Sequence, residues 1–196
     1  MRERIPRWRD AAARLYTWDP DRRSLRWDGA VYTDDGEPVT IFNGMDLPPT
    51  VHLNLMQERK GRLTDVLYSP LLKLFVSERA LEIILASRHK GVTVHRLNLR
   101  HRDGTLLREY FWLNIRSAVS LLDRERSVFQ ERDVGSGIRR IERLHLRAEN
   151  IPSADLLLFK EISQAVFSSR LVNTMTSARL TGVTFEPLDE GFRWPV

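Results

Sequence analysis

Five histidines, one pair of neighbouring carboxylates and a few serines are the residues of this chain whose types suit chemistry. His52, His89, His95, His101 and His145 show neither the HxH nor the HxxxH spacing that brings two imidazoles to one metal. Asp123 and Glu125 lie two apart, a spacing open to an acid and base pair, but their neighbours are charged and polar, so a solvated turn is expected. Val134-Gly-Ser-Gly137 is neither a nucleophile elbow, which needs Gly-x-Ser-x-Gly, nor a phosphate loop, which needs a Gly-Lys-Ser/Thr ending. The chain has no cysteine, which removes thiolate chemistry, zinc–thiolate sites and disulfides together. No metal, no cofactor and no catalytic constellation are therefore predicted, and the expectation is a protein that is not an enzyme.

The two remaining serines of interest stand inside a repeat. Phe75 to Leu97 and Val166 to Leu188 align without a gap at an offset of 91 residues and share seven letters in 23 positions: Ser77/Ser168, Arg79/Arg170, Arg88/Arg179, Gly-Val-Thr at 91–93 and 182–184, and Leu97/Leu188. That offset is too long for a solenoid and suits a duplicated unit within one globular protein. Each copy reads as strand, helix, strand. Apolar runs (Leu71, Leu72, Leu74, Phe75, Val76 and Ala165, Val166, Phe167) lead to a serine, a preferred N-cap because its hydroxyl accepts from a free N–H of the first turn. Both serines are read as caps, not nucleophiles. Helices are predicted over 78–88 and 170–179, with Leu81, Ile84 and Leu85 on one apolar face and Leu171, Met175 and Ala178 on the other. Gly91 and Gly182 are placed at the helix C-termini, where positive φ is wanted, and Val-Thr-Val or Val-Thr-Phe supplies the exit strand. The recurrence of Arg79 and Arg170 after the caps hints at one shared internal contact.

Around these units the chain reads mostly as strand. Leu25–Tyr32 and Val39–Phe42 form a hairpin separated by Asp34-Asp-Gly36-Glu-Pro38, and the alternation of Val51–Met56 predicts a half-buried strand. Val92–Leu99 turns at Asp103-Gly104 and returns through Thr105–Ile115. A short helix is expected around Ser117–Arg126, with Val119, Leu121 and Leu122 inward, and a strand over Ile138–Leu146. The fold predicted is α+β, an antiparallel or mixed sheet carrying two repeated strand–helix–strand units. One domain is expected over 1–196, with a strand-rich segment 1–60 and internal repeats 71–99 and 162–190.

A formal net charge of +5 invites a nucleic-acid reading, and a nucleic-acid-binding regulator is the alternative carried forward. The charge itself weakens it, because 27 of the 31 basic residues are arginine, as a GC-rich genome produces without selection for phosphate contacts, and they interleave with 26 acids. The first nine residues lack the apolar stretch of a secretory signal, and no apolar run approaches the ~20 residues that span a bilayer. A soluble, cytoplasmic protein with no membrane partner is expected.

At the repeat and the block after it, the sequence resembles the immunity protein family eleven of bacterial polymorphic toxin systems. The letters that carry the likeness are Phe75-Val-Ser77-Glu-Arg79, Tyr110-Phe-Trp-Leu-Asn114-Ile, Leu121-Leu-Asp123-Arg-Glu-Arg-Ser127, Ser168-Ser-Arg170 and Thr181-Gly182-Val-Thr-Phe185-Glu-Pro187-Leu, covering about residues 65 to 188. The second copy reads Ser-Ser-Arg where Ser-Glu-Arg is commoner. The resemblance implies a non-catalytic protein that binds and neutralises a cognate toxin, and it carries over no contact residue. Composition points elsewhere for the contact: residues 1–30 hold three of the five tryptophans and eight arginines, the types most enriched at binding hot spots. Trp8, Arg9, Trp18, Arg22 and Arg23 are the partner-contact residues expected, while Trp27 alternates with Leu25 and suits a core.

Overall fold

The computed structural model describes residues 15–20, 26–47, 51–59, 61–67, 73–132, 137–189 and 191–194. In chain order the strands and helices are β1 (Leu15–Pro20), β2 (Arg26–Tyr32), β3 (Pro38–Val39), β4 (Leu53–Arg59), β5 (Val66–Leu67), β6 (Leu74–Val76), α1 (Glu78–Leu85), β7 (Val92–Arg100), β8 (Leu106–Ile115), β9 (Ala118–Val119), β10 (Val128–Glu131), β11 (Ile138–Arg143), β12 (Leu156–Phe159), β13 (Gln164–Ser168), α2 (Ser169–Ser177) and β14 (Val183–Pro187). The fold is α+β: mixed sheets with two short helices. Among the described residues no helix is long and apolar enough to cross a membrane.

One sheet has seven strands in the order β3-β2-β4-β7-β8-β6-β5, another has five in the order β14-β1-β13-β12-β9, and β10 and β11 form a separate ribbon. In the large sheet β6 and β7 both pair antiparallel with β8, so α1 joins two parallel strands across one intervening strand. In the five-stranded sheet β13 and β14 both pair antiparallel with β1, and α2 makes the same kind of crossover.

Period-two alternation distributes the strand side chains over three cores. Val66, Leu74, Val76, Leu113 and Ile115 from the large sheet meet Leu156, Leu158, Ala165 and Phe167 from the five-stranded sheet in a central core, with Ala80 and Ile84 of α1 and Leu171, Val172 and Met175 of α2 between them. The opposite sides of the same strands fill two flanking cores: Leu67 and Phe75 pack with Leu53, Leu55, Leu97, Leu99, Tyr110 and Trp112, while Leu157, Phe159 and Val166 pack with Leu15, Ile138 and Ile141. Buried on both sides, these strands read as unbroken apolar runs.

Several local expectations change. Ser117–Arg126 is not helical: Ala118 and Val119 pair in parallel with Leu158 and Phe159, Leu122 bridges Leu146, and residues 124–126 turn. Its serines are engaged outward, Ser117 donating to Lys90 O and Ser120 to Glu161, and Asp123 closes a turn through the N–H groups of Glu125 and Arg126. Those are the local bonds that compete with helix. In β4, Leu53, Asn54 and Leu55 are all buried, so the strand start is covered on both faces, with Asn54 held by Asp34, Asn98 and Arg100. Leu85 is exposed and Ala80 takes its place in the core; in α2 the buried trio is Leu171, Val172 and Met175, with Ala178 as C-cap. Gly91 and Gly182 do have positive φ but lie beyond the helix ends. The left-handed residue closing α2 is Arg179, with Arg179 N bonded to Thr176 O and Leu180 N to Met175 O.

Candidate functional site

The letters that recur in the sequence converge on two buried aspartates. Ser77 Oγ accepts from Ala80 N, capping α1, and donates to Asp65 Oδ1 at 2.9 Å. Ser168 Oγ accepts from Leu171 N, capping α2, and donates to Asp155 Oδ1 at 2.6 Å. The arginine two residues after each cap pairs with the same aspartate: Arg170 through Nε and Nη2, Arg79 at 3.9 Å. Arg79 also donates to Ala178 O, the C-cap residue of the other helix.

Each aspartate then reaches the loop that leaves the other helix. Asp65 Oδ2 accepts from the N–H and hydroxyl of Thr181 at 2.9 Å, and Asp155 Oδ2 accepts from Arg88 N at 2.9 Å. Burial alone raises a carboxyl pKa, but in Asp65 the Thr181 and Ser77 bonds and the Arg79 charge outweigh it, leaving the group below the usual carboxylate range. Asp155 is lowered likewise, with the Arg170, Ser168 and Arg88 bonds overcoming burial. Both are ionised anchors tying the two helices to one junction. They escape a gap-free alignment because Asp65 precedes Ser77 by 12 residues and Asp155 precedes Ser168 by 13. An aspartate ahead of each cap was the available signal.

Both repeated glycines sit where backbones crowd, Gly182 against the junction itself and Gly91 against the residues after β8. A Cβ on Gly182 would run into Val66 O and Thr64, and one on Gly91 would meet Ser117 Oγ at 2.7 Å. The repeated Gly-Val-Thr therefore marks close approach of backbones as well as positive φ.

A second polar cluster joins residues distant in sequence. His52 Nδ1 and Asp34 Oδ2 are 2.8 Å apart, Asn54 Nδ2 donates to Asp34 Oδ1, and Arg100 Nε donates to Asn54 Oδ1. The Asn54 bond is the largest influence lowering the Asp34 pKa, so this carboxylate is ionised and orients the imidazole. A histidine–carboxylate dyad needs a nucleophile within hydrogen-bond reach to do acyl or proton chemistry. The group bonded to this one is the Asn54 amide, held in turn by the Arg100 guanidinium, which gives a bracing role between β2, β4 and β7. His95 stacks on Trp112 with ring centroids 5.1 Å apart, and burial together with Arg116 pushes its pKa down. Among the described residues no three of His, Asp and Glu come together as a metal site.

Of the partner-contact residues predicted from sequence, Trp8, Arg9, Arg22 and Arg23 lie outside the described residues. Trp18 falls in β1, its backbone paired with Phe185 of β14, and its side chain is outside the description. Trp27 lies in β2 opposite Gln57, again with only its backbone described. Asp123 sits in the turn expected of it.

No curated protein matches the sequence. The Immunity protein family (Imm11) does, over residues 6–190. The match extends well upstream of residue 65, where the motif-level likeness begins, and so takes in most of the N-terminal segment. A match over nearly the whole length settles the family: the chain belongs to the Immunity protein family (Imm11).

Proposed function

We propose that this chain is the immunity partner of a bacterial polymorphic toxin, acting in the cytoplasm by binding the toxin encoded beside it. It would cover the toxin's active site, or a surface next to it, without a catalytic step of its own. The observation that carries this reading is the family match over residues 6–190. A net charge of +5 favours an acidic face on the toxin, because complementary charge speeds encounter and rejects wrong partners. The same sign makes the chain a poor mimic of nucleic acid, so direct blockade of a cationic nuclease cleft would contradict it.

The architecture beneath this role is read as a single domain over 1–196, with a duplicated strand–helix–strand unit built around the two aspartates. The 91-residue offset supports it, as do the two crossovers over one antiparallel strand and the exchange of bonds between each aspartate and the opposite loop. The partner-contact role of Trp8, Arg9, Trp18, Arg22 and Arg23 is kept as part of this reading. It rests on the hot-spot preference for tryptophan and arginine.

The test is co-expression with the product of the neighbouring toxin gene. Protection of the host cell, together with a one-to-one complex on size-exclusion chromatography, is the expected result. Toxicity unchanged by co-expression, with no complex between the purified proteins, would sink the reading.

A further inference from the structure

The β10–β11 ribbon is a part of the fold that the junction does not use. One side of it is buried: Ile138 and Ile141 are in the flanking core and Phe129 packs against them. The other side presents Val128, 44 % exposed, with Gln130, Arg140 and Arg143, all exposed. Cross-strand register sets Val128 opposite Arg143 and Gln130 opposite Arg140. Residues 124–147 contain seven arginines against four acids, a net +3 of the chain's +5.

The turn leading into the ribbon is clamped. Asp123 Oδ1 accepts from the N–H groups of Glu125 and Arg126, Ser127 N donates to Asp123 O, and Ser127 Oγ both donates to His145 O and accepts from His145 N. This gives Leu121-Leu-Asp-Arg-Glu-Arg-Ser127 a physical meaning: aspartate and serine fix the backbone so that Arg124 and Arg126 are held outward. Arg124 lies over the Phe129 ring at 5.2 Å and pairs with Glu131 at 2.5 Å. Arg126 and Arg143 have no carboxylate partner among the described residues. The clamped turn fixes the backbone from which Arg126 projects, so docking there orders less of the chain.

We propose that the outer face of this ribbon, Arg126, Val128, Gln130, Arg140 and Arg143, docks against an acidic surface of the partner toxin, with Val128 as the apolar centre and the arginines as its charged rim. This rests on the immunity reading and deepens it by naming the surface. A protein partner fits better than nucleic acid. Arg124 and Arg140 are each already beside a glutamate, Glu131 and Glu142, so the face is a mixed pattern and not a continuous track for a phosphate backbone, and the Phe129 ring is covered by a guanidinium and so closed to a stacking base.

The experiment measures binding of full-length chain to catalytically inactivated toxin by surface plasmon resonance, for wild type, Arg126→Glu/Arg143→Glu, Val128→Asp and a control, Arg102→Glu, in the β7–β8 turn. The ribbon variants should bind about tenfold or more weakly, the charge reversal chiefly through a slower association rate that salt suppresses, and the control should match wild type. If a ribbon variant is misfolded by circular dichroism, hydrogen exchange on the wild-type complex decides: protection of 124–131 and 138–143 supports the surface, and unchanged exchange overturns it. Wild-type affinity in folded ribbon variants overturns the ribbon alone. A wild-type chain that forms no complex with the toxin removes the immunity reading and the ribbon with it. Salt-sensitive binding of duplex DNA or single-stranded RNA that the charge reversal abolishes overturns the proposal in favour of nucleic acid.

Discussion

Asp65 and Asp155 do the same work from opposite sides of one junction: each accepts the hydroxyl of the serine capping its own helix and a backbone N–H from the loop that follows the other helix. Each backbone also closes the circuit, with Ser77 N bonded to Asp65 O, Ser168 N to Asp155 O, Val66 N to Thr181 O and Asp155 N to Arg88 O. Neither helix can leave without releasing a contact of the other. The two ends of the junction are 116 and 67 residues apart in sequence.

Replacing either aspartate by asparagine should therefore cost about 2–4 kcal/mol in urea unfolding, since an ionised, hydrogen-bonded anchor is lost and its donors are left imperfectly paired. Asp155→Asn should be the costlier, because its side chain is only 3 % exposed and carries the bidentate Arg170 pair. The double variant should lose less than the sum, as both anchors hold one junction. Additive losses would show that the two act independently.

Acid should find the same weak point. Both carboxyls have folded pKa values depressed below the unfolded value of about 3.9. Their contribution to stability is then complete above that value and lost as pH falls through the lower, folded values. Urea midpoints of wild type should drop below about pH 4 more steeply than those of the double asparagine variant. Equal slopes would exclude these two groups as the acid-sensitive element.

Gly182 and Gly104 share a φ of +85 but differ in surroundings, which separates backbone strain from crowding. Gly104→Ala opens onto free space and should cost about 1 kcal/mol, the left-handed penalty alone. Gly182→Ala would drive a methyl into Val66 O and Thr64, and should cost about 3 kcal/mol or prevent folding. Similar melting temperatures for the two variants would contradict this packing.

Helix positions were legible in the sequence because a cap is a local event: Ser77 and Ser168 bond N–H groups three residues away, and an apolar face follows within a turn. The β7–β8 hairpin was legible for the same reason, with Asp103-Gly104 at its tip and Thr105 N bonded to Asp103 Oδ1. What the sequence hid depends on long-range partners. Asn54 could be recognised as an inward polar residue only once Asp34 and Arg100 were known to meet it, and Arg79 and Arg170 only once their aspartates were placed. Ser117–Arg126 was misread because Val119, Leu121 and Leu122 fit an inward helical face as well as an extended strand, and only the pairing with β12 decides.

Tyr110 offers a spectroscopic check on the large sheet. Its hydroxyl donates to Thr64 O at 2.8 Å, and burial, opposed by nearby Arg108, pushes its pKa up to about 12. The stabilisation from keeping the phenol neutral is present below the unfolded value of about 10 and is lost as pH rises through the folded one. The wild-type minus Tyr110→Phe difference spectrum should show no phenolate at about pH 10.5, where the unfolded chain shows it clearly. The same variant should lose about 1 kcal/mol of stability from the missing bond to Thr64.

The last prediction concerns the N-terminal residues proposed to touch the toxin. Leu15, where β1 begins, packs in the same core as Ile138 and Ile141 beneath the ribbon. If Trp8 and Trp18 act as anchors, truncating each to alanine should weaken toxin binding by about 2 kcal/mol, the scale of a hot-spot residue. Deletion of residues 1–10 should weaken it likewise, and the melting temperature should barely move in any of the three. Combining Trp8→Ala with Arg126→Glu should give more than either alone if both surfaces meet the toxin. Wild-type affinity in all three variants would take the segment out of the interface, whereas a melting temperature lowered by many degrees would place the tryptophans in the core.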